Sequence, residues 1–249
     1  MSADGLLYGY KYPRPALTVD CVVFGTHLAN PKHPLKVLVI SRRDPPFQGE
    51  WALPGGHVNV SDEGDQGESL VAAAHRELKE ETGIEVAYLE QLGTFGTPLR
   101  DPRGRVVSVA YFALVKAGNF EIHAGSDAIT AQWMDADSLR DYPLVAFDHA
   151  AIFRTALARL QAKVRYSPIG FNLLPSKFTL SQLQALYEAI LMRPLERSNF
   201  RKKIQAMRIL TQAGTEKKPA DRPGPIAQLF RFDKRAYDKA VASGWNFEV

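Results

Sequence analysis

Cysteine, long apolar runs and a leader-like start are what this 249-residue chain lacks. It has one cysteine, Cys21, so an intrachain disulfide and a cysteine-built structural zinc site are both excluded. Cys21 lies in the apolar run Thr18–Phe24 and reads as a small buried hydrophobe of a strand rather than as a catalytic thiol. No stretch approaches the roughly 18 apolar residues of a membrane span, and the first residues show no basic-then-apolar leader pattern. A cytoplasmic chain with no membrane association is therefore expected. Wholesale disorder is also excluded, because 45% of the residues are hydrophobic and 23% charged.

The modest net charge of +4 conceals an asymmetry. Residues 1–152 hold 13 Lys+Arg against 20 Asp+Glu, and residues 153–249 hold 18 against 7. An acidic front and a basic back predict two domains with different partners, divided here as 1–162 and 163–249. In the front half, Leu17–Gly25, Lys36–Ser41, residues 86–95 and Val106–Val115 are β-branched, apolar runs that predict strands. Helices are expected over Glu68–Thr82, with Gly83 as its C′ residue, and over Ala146–Val164. The segment Arg165–Gly170 reads as a linker. Beyond it, a helix opens with Thr179 as N-cap and ends before Pro194. A second helix is expected over Glu196–Leu210, its apolar stripe being Phe200, Ile204 and Met207. A polar turn, Gly214–Pro225, and a strand pattern at 227–232 complete the order of a winged helix-turn-helix.

The segment Arg76-Glu77-Leu78-Lys79-Glu80-Glu81-Thr82-Gly83-Ile84 carries the most specific chemistry. Residues three and four apart share a helix face, so Glu77, Glu80 and Glu81 should converge. Crowded carboxylates repel unless neutralised, and a hard cation such as Mg²⁺ or Mn²⁺, or Arg76 on the flank, can do so. Upstream, Gly55 and Gly56 would let backbone approach a nucleotide closely. A merely solvated acidic helix is the plain alternative, but the pattern from Glu68 to Ile84 resembles the Nudix box. That resemblance implies an α/β/α sandwich, metal and catalytic roles for Glu77, Glu80 and Glu81, and a supporting acid in Glu68. One departure stands out: Glu68 follows Gly56 by twelve positions, where the family pattern has six.

On the basic helix, Arg197, Asn199, Arg201, Lys202 and Lys203 would face DNA. Lys217, Lys218 and Arg222 fall where a wing would touch the backbone. A solvated basic helix in a protein-binding module is the alternative. The two modules together resemble the Nudix-related transcriptional regulators of NAD metabolism. The carriers include Tyr12–Asp20, Trp51–Gly56, Asp101–Arg105, Ala146–His149 and Asn199–Ile204. The resemblance implies an ADP-ribose-type effector, homodimerisation and a palindromic operator DNA. The expected function is a ligand-responsive repressor. The competing reading is a metal-dependent ADP-ribose pyrophosphatase, since the acidic helix is intact.

Overall fold

The computed structural model describes residues 11–27, 34–60, 67–86, 88–116, 128–141, 144, 146–215 and 227–249. Its front half is one mixed sheet. Strands β1 (Ala16–Thr26) and β6 (Val106–Leu114) lie parallel at its centre, and β2 (Leu35–Arg42) flanks β1. Beyond them, β5 (Tyr88–Phe95) pairs with β6, while β3 (Trp51–Ala52) and β7 (Ala128–Asp135) pair with β2. The short β4 (Gly55–His57) pairs with the start of β1.

Side chains of a strand alternate between faces, and here both faces are covered. Val19, Cys21 and Val23 of β1, with Val109, Tyr111 and Ala113 of β6, pack under α1 (Leu70–Thr82). The intervening Val22, Phe24, Ala110 and Phe112 pack on the opposite face against α3 (His149–Tyr166). The result is an α/β/α sandwich. Ser69 caps α1 by accepting from Ala72 N–H, and Gly83 closes it in the left-handed region at φ 72°.

The expected strands and both front helices are present, within a few residues of their expected ends. The β7 strand, the short α2 (Ser138–Asp141) and the C-terminal α6 (Lys234–Ala242) were not anticipated. The segment read as a linker is no tether. Most of it continues α3 or enters a 3₁₀ turn, Pro168–Leu173, whose Ile169, Gly170 and Phe171 are buried. Hydrophobic core therefore runs without a break from the sheet through α3 and the 3₁₀ turn into the basic half.

That half opens with β8 (Phe178–Thr179) and α4 (Leu180–Leu191). Thr179 and Gln182 form a complete capping box at its start. The following α5 (Arg197–Ala206) buries Phe200 and Ile204 against α4. It ends four residues before Leu210, because Arg208 turns at φ 54° and the chain enters β9 (Leu210–Thr215). With β10 (Gln228–Phe232) at its centre, β8-β10-β9 is a small antiparallel sheet, and helix, helix and hairpin form a winged helix.

Candidate nucleotide pocket and nucleic-acid interface

The acidic helix meets the sheet at β4. Glu77 and Glu81 are buried there, 8% and 6% exposed. Gly55 N–H donates to Glu81 Oε2 at 2.7 Å. A Cβ on Gly56 would lie 2.3 Å from Glu77 Oε1, and one on Gly55 would lie 2.2 Å from the Val19 carbonyl oxygen. Glycines are therefore required for the carboxylates to sit against this strand. Glu80 does not share the buried position; its side chain is half-exposed.

Arg76 binds the motif together. Its Nη1 donates to Glu77 Oε1 at 2.8 Å and to Glu80 Oε2 at 3.0 Å. Its Nη2 donates to Glu68 Oε1 at 2.6 Å and to the His57 carbonyl at 2.9 Å. The hydrogen bonds to Arg76 hold the Glu68 carboxyl below the usual range, and bonding to Glu68 raises the Arg76 guanidinium. The long interval before Glu68 does not displace it. Asn59 N–H donates to Glu68 Oε1 at 2.8 Å, and Glu68 N–H donates to the Asn59 carbonyl at 3.1 Å. Residues 59 and 68 are thus held together directly.

As hard oxygen donors, the three helix acids suit Mg²⁺ or Mn²⁺. They do not converge as they stand: Glu77 and Glu81 are buried against the strand, while Glu80 points out and shares Arg76 with Glu77. Among the described residues, no group of three His, Cys, Asp or Glu is placed to hold a metal ion.

Beside Glu81 opens a cavity of about 220 Å³ whose lining carries charges the motif did not reveal. Asp20 of β1 is buried at its base, next to Arg100 and His149. Arg100 Nη2 donates to Asp20 Oδ2 at 3.2 Å, and its Nε and Nη2 both donate to Asp148. Leu53 N–H donates to His149 Nδ1 at 2.9 Å, which leaves the imidazole proton on Nε2, 3.2 Å from Asp20 Oδ1. Burial pushes the Asp20 carboxyl up. The His149 interaction, the Ser108 hydroxyl and the Arg100 charge outweigh it and hold the carboxyl at about 2. Asp148 stands at the N-cap position of α3 but makes no side-chain cap bond; its carboxylate pairs with Arg100 instead.

At the mouth, the Phe147 ring is flanked by the guanidinium carbons of Arg42 at 4.9 Å and Arg103 at 5.5 Å. Asp101 fixes Arg103 through two guanidinium bonds and one backbone bond. These pocket residues escaped the sequence reading as functional groups. The available signal was Asp20, a lone acid inside an apolar strand, which must find partners if buried. Burial also confirms Cys21 as inert: desolvation, then the Asp20, Glu81 and Glu77 charges, push its thiol up.

On the basic half, α5 presents Arg197, Asn199, Lys202 and Lys203 to solvent. Glu196 caps the helix by accepting from Ser198 N–H and Asn199 N–H. Arg201 departs from expectation. It is half-buried, and its Nη2 donates to Ser181 Oγ at 2.9 Å, so it ties α5 to the start of α4. Lys203 Nζ lies 3.7 Å from Glu248 of the C-terminal tail. Lys217, Lys218 and Arg222 lie outside the described residues.

A Nudix sandwich followed by a winged helix is the class that this fold defines. Residues 14–156 match the NUDIX domain, and residues 170–232 match the NrtR DNA-binding winged helix domain. The chain is 38% identical to the ADPR-responsive transcriptional repressor NtrR of Acinetobacter baylyi, over 91% of this chain and 86% of that protein. It superposes on Shewanella oneidensis NrtR complexed with a 27-mer DNA with a TM-score of 0.70 at 31% identity, covering 93% of this chain and 97% of that one. The Nudix domain of Shewanella oneidensis NrtR complexed with ADP-ribose is 37% identical, with a TM-score of 0.50, covering 61% of this chain and 94% of that one. The chain belongs to the NrtR family of Nudix-containing, winged-helix transcriptional regulators.

Proposed function

We propose that this protein is a DNA-binding transcriptional repressor whose Nudix pocket senses ADP-ribose. The observation that carries the reading is the end-to-end match to an ADPR-responsive repressor, with both modules in the same order. The geometry supports it. ADP-ribose carries a diphosphate between two ribose-bearing ends, and the cavity offers Arg42 and Arg103 beside the Phe147 ring for an anion next to a flat group. Gly55 and Gly56 let the β4 backbone line the same cavity.

The reading divides the chain into an effector half, 1–162, and a DNA-binding half, 163–249, working in the cytoplasm. DNA contact is assigned to Arg197, Asn199 and Lys202 on α5, with Lys203 and Arg201 joining only on leaving their protein partners. Lys217, Lys218 and Arg222 are assigned to the wing. A homodimer would place two copies of α5 on half-sites one helical turn apart, about 34–36 Å. Glu77, Glu80 and Glu81 would ligate Mg²⁺ or Mn²⁺ through oxygens that Arg76 does not engage, after side-chain rearrangement, and Glu68 is assigned to anchoring Arg76. Hydrolysis is therefore secondary to sensing in this reading.

A mobility-shift titration on the DNA upstream of the protein's own gene, with and without ADP-ribose, tests the proposal. ADP-ribose should weaken DNA binding by about 5–150-fold, the usual range of allosteric coupling. Unchanged DNA affinity would remove the switch. Turnover of ADP-ribose with Mg²⁺ or Mn²⁺ that Glu81→Gln abolishes would then favour the pyrophosphatase reading.

A further inference from the structure

A larger cleft, about 380 Å³, lies away from the Nudix cavity and shares no lining residue with it. It opens at the seam of the two halves. One wall comes from the buried 3₁₀ turn and the chain after it, through Ile169, Phe171 and Leu174. The other comes from Phe178, Phe232 and Tyr237 of the winged helix. Phe171 and Phe232 stack face to face, their centroids 4.5 Å apart and their planes inclined by 11°. Phe178 packs on Phe171 at 5.7 Å, and Tyr237 packs on Phe232 at 5.9 Å.

The charged groups around these rings, among the described residues, have one sign. Lys116, Arg231 and Lys234 line the cleft, and among the described residues no Asp or Glu does so. Lys234 pairs outward with Asp238 at 2.6 Å, whereas Lys116 and Arg231 have no ion-pair partner among the described residues. A concave, ring-lined space with a few converging polar groups is how small-ligand sites are built, and this one falls within their usual size of about 300–1,000 Å³. The rings favour a flat apolar body. The unopposed cations favour an anionic group and disfavour an amine.

We propose that this cleft is a second small-ligand site, separate from the Nudix cavity, which takes a planar aromatic anion against the ring cluster where the 3₁₀ turn packs on the winged helix. The ring walls hold the aromatic body, and Arg231 and Lys116 hold the anion. Lys116 belongs to the front half and the ring walls to residues 163–249, so an occupant held by both would bridge the halves. The proposal does not depend on the Nudix cavity binding ADP-ribose.

The test uses the full chain and 8-anilinonaphthalene-1-sulfonate, an aromatic anion whose fluorescence rises in apolar surroundings. Saturable binding of one dye per chain is expected, and it should persist with saturating ADP-ribose. Arg231→Glu and Lys116→Glu, on separate elements, should each weaken it by about tenfold or more. The neutral N-phenyl-1-naphthylamine should bind more weakly than the sulfonate. Thermal melts confirm that each variant is folded, and either folded variant suffices. Non-saturating binding, displacement of the dye by ADP-ribose, indifference to both charge reversals, or equal binding of the neutral analogue would each overturn the proposal.

Discussion

The two halves manage charge in opposite ways. In the Nudix half, charged groups are matched within the fold, several of them buried: Arg76 to three glutamates, Arg100 to Asp20 and Asp148, and Arg103 to Asp101. On α5, Arg197 and Lys202 face solvent. Matched, buried charges hold a geometry before any ligand arrives. Exposed charges cost the fold little and derive their energy from a polyanionic partner by releasing its counterions. The pocket is thus built for shape, and the helix for encounter.

The largest effect that would sharpen this contrast is in the pocket. Arg100→Ala removes a guanidinium that is 4% exposed and leaves Asp20 and Asp148 without it. Breaking such a buried pair should cost about 3–5 kcal/mol in urea unfolding, with loss of ADP-ribose binding in calorimetry. A cost below about 1 kcal/mol would mean that the network is not structural.

Acid should next distinguish the halves. Folding lowers the Asp20 pKa from 3.8 to about 2, so its contribution is present above about pH 4 and disappears as the pH falls toward 2. The shift corresponds to about 2 kcal/mol. In Asp20→Asn, unfolding free energy should therefore fall less steeply between pH 4 and 2 than in the wild type. Parallel curves would contradict the assignment.

A smaller effect is expected at the capping box of the basic half. Thr179→Ala removes the acceptor of Gln182 N–H and should cost about 1 kcal/mol, read as a lower unfolding midpoint. Pocket affinity for ADP-ribose should stay unchanged.

Lys202→Ala marks the small end for stability. It should change unfolding by no more than about 0.5 kcal/mol, while making the salt dependence of DNA binding shallower by about one unit. Arg201→Ala should cost more stability than Lys202→Ala, since it also loses the bond to Ser181. If the two variants match in stability, the anchoring role of Arg201 fails.

Much of this could be read from local spacing. The Nudix helix, its Gly83 stop, the Thr179 cap and the Phe200–Ile204 stripe all follow from patterns within a few residues, where propensity and capping act. The end of α5 was misplaced because Arg208 adopts a left-handed turn that no periodicity announces. Pro168 and Gly170 read the same in a tether and in a buried corner, and only packing against α4 distinguishes the two. The corner leaves little room for a side chain, since a Cβ on Gly170 would sit 3.1 Å from the Tyr187 ring.

By itself, the sequence determined the two modules, their order, the acidic helix and the opposite charges of the halves, because helix faces, strand alternation and caps are short-range properties. Tertiary structure decided which charges serve the pocket and which remain for a partner. Asp20, Arg100 and His149 lie far apart in the chain and meet because β1 and β6 run parallel in one register, with α3 beginning over the end of that sheet. Likewise, Arg201 and Lys202 are neighbours of similar chemistry. The 100° step between successive helix residues turns one against α4 and leaves the other in solvent.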